Sequence, residues 1–152
     1  MPETETTETM LRVSRVIKAP RDKVYEAFTN PKLLAKWYHP GPMTTTVHQW
    51  EPKVGATFHI TMHASEGEMK GDHTARGKFT EIVPGKKLSH TWAWESPDPV
   101  MGAKGSVVTV ELKDAPGGTE VTFIHEMLPG KESVENHSKG WIGCLENLAA
   151  LF

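Results

Sequence analysis

The chain has little with which to cross-link, span a membrane or present a charged face. Its single cysteine, Cys144, excludes an internal disulfide. No apolar run approaches the ~20 residues that a bilayer-crossing helix needs. Met1 to Thr9 lack both the basic start and the apolar stretch of a signal peptide, so a cytoplasmic location is expected. Neither sign of charge dominates, with 17 basic residues against 19 acidic and a formal net charge of −2. That balance argues against a nucleic-acid footprint and against a polybasic membrane anchor. Also missing are a Gly-x-Ser-x-Gly elbow, a phosphate loop, a dinucleotide fingerprint and a His-Glu-x-x-His run. No catalytic residue and no cofactor is therefore expected.

Eight histidines raise the question of a metal, and their spacing answers it. His59 and His63 share a strand face, but four residues along a strand separate them by roughly 13 Å. One ion cannot be chelated across that distance.

What is present suits one domain: 152 residues, 38% hydrophobic and 24% charged. Residues 1–9, with Glu3, Glu5 and Glu8 and few apolar side chains, read as a disordered tail. The domain is expected over 10–152. Met10 to Lys18 is rich in β-branched residues and reads as a strand. Two short helices follow within Ile17 to Pro40. Pro20 suits a first helical turn, Asp22 faces the positive end of the helix dipole, and Asn30 is placed to cap the second helix. Helices this short need something larger to lie against.

From Met43 the period changes to alternation. Candidate strands run over 43–51, 56–64, 73–83, 87–95, 105–113 and 118–127, separated by Pro/Gly turn chemistry that implies antiparallel hairpins. Residues 65–71 and 96–102 read as looser, mobile loops. Phe58, Ile60 and Met62 share one face. So do Leu88, His90, Trp92 and Trp94, then Val108, Val110 and Leu112, then Val121, Phe123, His125 and Met127. The opposite face is mostly polar, so the apolar side needs a cover. Residues 133–152 supply it. Ser133 is a plausible N-cap, and His137, Trp141, Cys144, Leu145 and Leu148 recur at helical spacing. Gly140 is expected where that helix approaches the sheet.

This order resembles the single-domain family related to the activator of the heat-shock protein 90 ATPase. The matching phrases are APRDKVYEAFTNPKLLAKWYHP, PKVGATFHITM, GKFTEIVPGKKLSHTWAW, GGTEVTFIHEML and SKGWIGCLENLAAL, covering nearly the whole chain from Met10. The family belongs to the START-like (SRPBCC) superfamily and shares its helix-grip fold with the birch-pollen allergen. The resemblance implies an α+β fold, with a curved antiparallel sheet of about seven strands wrapped around a long C-terminal helix. It implies an elongated cavity between sheet and helix, with the two short helices closing one end. It further implies binding of a small hydrophobic or amphipathic molecule.

The candidate lining residues are Trp37, Phe58, Met62, Phe79, Glu81, His90, Trp92, Trp94, Val110, Phe123, His125, His137, Trp141 and Leu145. Five tryptophans could form an aromatic lining with indole N–H groups as orienting donors, or could fill the core; for Trp37 the second role is expected. Met43, Met62, Met69, Met101 and Met127 could adapt a cavity to its ligand. His90, His125 and His137 are expected inside as neutral imidazoles. Glu81, alternating with Phe79 and Val83, could also point inward. Two alternatives follow. One is a chaperone-interacting protein, although the co-chaperone that named the family carries an additional N-terminal docking domain for which 152 residues leave no room. The other is a cyclase or hydrolase in which Glu81 meets His90 or His125. Monomer and homodimer are both compatible with the sequence.

Overall fold

The structure is a computed structural model that describes residues 3–67, 70–96 and 102–152. Among the described residues eight strands form one antiparallel sheet: β1 (Glu3–Thr6), β2 (Leu11–Ile17), β3 (Thr44–Gln49), β4 (Thr57–Ala64), β5 (Gly71–Val83), β6 (Lys87–Trp94), β7 (Ser106–Ala115) and β8 (Gly118–Glu126). Their spatial order is β1-β2-β8-β7-β6-β5-β4-β3. Helices α1 (Arg21–Thr29) and α2 (Pro31–Trp37) follow β2, and α3 (Lys131–Ala150) closes the chain. This is the α+β helix-grip arrangement, with one strand more than expected. Glu3–Thr6 pair with β2, from Glu3 opposite Ser14 to Thr6 opposite Leu11. All four side chains stay exposed; the composition reads as a disordered tail and carries no sign of this backbone pairing. Met69 and Met101, and most of the expected loop around 97–101, lie outside the described residues.

Register brings the apolar positions together in rows. Val13, Phe123, Val110 and Leu88 face one another across β2, β8, β7 and β6. Leu11, His125, Val108, His90 and Phe79 form the next row. All are buried. Between Phe79 and Glu81 the β5–β6 register slips. A bulge of this kind shifts the inward phase by one residue. Ile82 then packs on the core, while Glu81 turns outward and pairs with Lys87 at 3.0 Å. The expectation that Glu81 faces the interior is corrected.

The helix pair is finished by side chains. Asn30 Oδ1 accepts from the Lys32 N–H at 3.0 Å, capping α2. That cap removes the N–H that would reach the Phe28 carbonyl, and Pro31 has none to offer Ala27. Two indoles take over: Trp37 Nε1 donates to the Ala27 carbonyl at 3.0 Å, and Trp50 Nε1 to the Phe28 carbonyl at 2.8 Å.

Helix α3 starts at Lys131, two residues before Ser133, which is buried within the first turn and caps nothing. No close approach to the sheet occurs at Gly140; the tight contact along α3 falls at Gly143, against the loop that follows α2. There a Cβ would lie 3.0 Å from Pro40, whereas at Gly140 it would meet nothing within 4 Å. Asn147 Nδ2 fastens the same corner by donating to the carbonyls of His39 (2.7 Å) and Gly41 (3.0 Å).

Candidate functional site

Among the strands, α3 lies closest to β2. Toward β4, β5 and β6 it leaves a half-open cavity of about 600 Å³. Strands and helix divide the wall between them. Met62 of β4, His73 of β5, and Trp92 and Trp94 of β6 contribute from the sheet; His137, Gly140, Trp141 and Cys144 contribute from α3. Pro40 and Met43, just after α2, line the same space, and Glu132, Asn136 and Lys139 form a polar rim. Met62, Trp92, Trp141 and Cys144 are buried, whereas Glu132, Asn136 and Lys139 are exposed. The cavity thus runs from an aromatic, sulfur-bearing floor to a wet, charged mouth, the usual chemistry of a small-molecule pocket.

Five expected lining residues reach this cavity: Met62, Trp92, Trp94, His137 and Trp141. The others do not. Trp37, Phe79, His90, Val110, Phe123, His125 and Leu145 fill the core behind the wall. Phe58 does so too, and its edge also borders a shallow depression with His59 and Arg76 on the sheet's other side. Phe123 stacks on Trp141 with centroids 4.6 Å apart, holding that indole against the floor. Cys144, His73, Gly140 and the rim residues were not among the expected set. Their signal lay in periodicity: His73 continues the Ala75–Gly77–Phe79 alternation, and Glu132, Asn136, Gly140 and Cys144 follow one another at four-residue steps of a helix.

The polar groups inside are closed into short relays. Trp141 Nε1 donates to His125 Nδ1 at 3.1 Å, so that ring carries its proton on Nε2 and gives it to Ser106 Oγ at 2.9 Å. Ser106 in turn donates to the Trp92 carbonyl at 2.9 Å. His137 is fixed in the opposite tautomer. Its Nδ1–H donates to the Ser133 carbonyl at 2.7 Å, leaving Nε2 to accept from Trp94 Nε1 at 3.0 Å. His90 donates from Nδ1 to the Thr91 carbonyl at 2.8 Å.

Burial holds all three imidazoles neutral. The pKa of His90 is lowered to about 4 by burial. Burial also carries His125 well below its ordinary value, helped by neighbouring His137 and His90, and lowers His137. The same desolvation pushes up the Tyr38 phenol and the Cys144 thiol. A thiol so placed is protonated and a poor nucleophile. Glu81 lies outside, so it meets neither His90 nor His125. Among the described residues no three His, Cys, Asp or Glu side chains gather as a metal would require. Nor is any described helix long and apolar enough to cross a membrane.

The sequence profile of the family described as "Activator of Hsp90 ATPase homolog 1-like protein" matches residues 18–152. Comparison with curated proteins found no significant match. Among solved structures, a Chromobacterium violaceum protein is 28% identical with a TM-score of 0.80, the alignment covering 94% of this chain and 96% of the other. A Mesorhizobium loti protein is also 28% identical, with a TM-score of 0.70 and coverage of 93% and 95%. A Silicibacter pomeroyi protein is 21% identical, with a TM-score of 0.76 and coverage of 93% and 95%, and shares the fold.

Proposed function

For a chain that belongs to the Activator of Hsp90 ATPase homolog 1-like family, we propose that the function is binding of a small hydrophobic or amphipathic molecule between the sheet and α3. The observation that carries this is the cavity of about 600 Å³ with buried Trp92, Trp141 and Met62 on its floor and Glu132, Asn136 and Lys139 at its mouth. A space of that size falls within the range of drug-sized ligand pockets. An apolar body would bury against the floor, and a polar group would stay at the rim.

The enzyme alternative loses its main support with Glu81 on the outside. The chaperone role in the family's description rests on that description alone. Large apolar side chains are exposed among the described residues at Val16, Val54, Val83, Met127 and Phe152.

Native mass spectrometry of the freshly purified protein tests the proposal. A co-purified small molecule, lost on denaturation, is the expected result. The proposal fails if there is no added mass and no saturable binding of apolar probes.

A further inference from the structure

A side-chain hydrogen bond pins the two walls of the cavity together at its edge. Trp94, the last residue of β6, donates from Nε1 to Nε2 of His137 on α3 at 3.0 Å. Both side chains line the cavity and both are partly exposed. The other nitrogen of the imidazole is already engaged on its own helix. Nδ1 lies 2.7 Å from the Ser133 carbonyl and 3.2 Å from the Ser133 hydroxyl.

A proton changes what this pair can do. An indole N–H only donates, and a neutral imidazole has one nitrogen free to accept. Once protonated, the ring carries hydrogen on both nitrogens. Nδ1–H keeps the Ser133 carbonyl, and Nε2–H then faces the Trp94 N–H, donor against donor. That tie has to open. Resting on the small-molecule reading above, we propose that Trp94 and His137 form a proton-operated latch, which holds β6 to α3 around the ligand while His137 is neutral and lets the ligand go once that ring is protonated.

The groups around His137 leave it as the ring that takes the proton. On β8, His125 has its ring 4.8 Å away, fully buried, with both nitrogens engaged by Trp141 and Ser106. Burial lowers the pKa of His137, and the Ser133 carbonyl partly restores it. His125 is carried further down by burial and by the neighbouring His137 and His90. Glu132 and Lys139 of α3, His73 of β5 and the protonated thiol of Cys144 border the same cavity, whereas Met62 of β4 and Trp92 of β6 do not titrate. The latch is therefore shut above about pH 6.5, the ordinary histidine value, and opens as pH falls through the lowered pKa.

Equilibrium dialysis of 2-acetylnaphthalene, an aromatic ketone with no titrating group, tests this from pH 7.5 down to the lowest pH at which near-ultraviolet circular dichroism still reports the native fold. Wild-type affinity should fall about fivefold across that range, the worth of one hydrogen bond. His137→Gln offers an acceptor that takes no proton, and Trp94→Phe removes the donor that the proton opposes. Each should give a level profile, and if one fails to fold the other still decides. By reciprocity the ketone should weaken proton binding at His137 by the same factor, seen by NMR as a lower pKa in the complex.

The latch is overturned if wild-type binding stays level over the native range, if the loss in acid survives in either folded variant, or if the ketone leaves the His137 pKa unchanged. The small-molecule reading stands in each of those cases. If the ketone shows no saturable binding even at pH 7.5, that reading falls and the latch goes with it.

Discussion

The indole nitrogen of Trp94 lies 3.0 Å from Nε2 of His137, joining the end of β6 to the second turn of α3 at the edge of the cavity. Both residues line the cavity and both are partly buried, so the bond ties the two walls together. It depends on one tautomer. The His137 Nδ1–H is committed to the Ser133 carbonyl at 2.7 Å, and Nε2 can accept only while the ring is neutral.

Removing the donor should loosen that tie. Trp94→Phe is expected to cost about 1 kcal/mol, the net worth of one intramolecular hydrogen bond, plus a packing term from the smaller ring. A double-mutant cycle with His137→Phe, read by urea unfolding, should give a coupling of about 0.5–1.5 kcal/mol. Strict additivity would show that the two residues are merely adjacent.

Buried neutral histidines make stability fall in acid. Above about pH 6.5, His90 is uncharged both folded and unfolded, so it adds no pH dependence. Below that, the unfolded chain takes a proton that the folded ring refuses down to a pKa of about 4. Stability is lost across this window, by roughly 3 kcal/mol from His90 alone. His125 and His137, lowered in the same direction, should steepen the fall. Urea unfolding at a series of pH values from 7.5 to 4.5 checks this. Stability that stays level to pH 5 would mean these rings are not held neutral.

Trp50 closes a gap that the α1–α2 junction itself creates. With the Lys32 N–H taken by Asn30, the Phe28 carbonyl has the Trp50 indole at 2.8 Å as its donor. Trp50→Phe should leave that carbonyl buried and unpaired at a cost of about 1–3 kcal/mol, seen as a lowered thermal midpoint. A shift within error would mean that water reaches the carbonyl.

These examples show what alternation and helical spacing can and cannot reveal. Phe58, Ile60 and Met62, or Val121, Phe123 and His125, were legible because side-chain direction in a regular strand follows from position alone. Glu81 was not, since the register slip after Phe79 leaves no mark in a pattern of apolar residues. The helix was legible but the approach to the sheet expected at Gly140 was not found, because Gly140 borders the cavity and the tight contact of α3 is that of Gly143 with Pro40, which helical spacing does not reveal. The site suffered most. Periodicity separates inward from outward, whereas core and cavity wall are both inward. Phe123 and Trp141 share the interior, but only Trp141 reaches the cavity. That distinction depends on where α3 parts from the sheet, a matter of three dimensions.

Gly140 allows stability and binding to be moved in opposite directions. It sits inside α3, and a Cβ built on it meets nothing within 4 Å. Glycine in a helix interior is about 1 kcal/mol less favourable than alanine, so Gly140→Ala should raise stability by nearly that amount. Gly140→Leu should keep most of the gain, because leucine is also a good helix former. Its side chain, however, would project from a wall residue into the cavity and take up space that a ligand's apolar body needs. Binding of 2-acetylnaphthalene should then weaken tenfold or more in the leucine variant and little in the alanine variant, while both melt at or above the wild-type temperature. A core-filling role for this region would give the other pattern. Leucine would clash and destabilise, and binding would fall only as folding fails. Thermal melts and dialysis on the same two variants decide between them, because a protein that becomes more stable as it loses its ligand must have been keeping that space open.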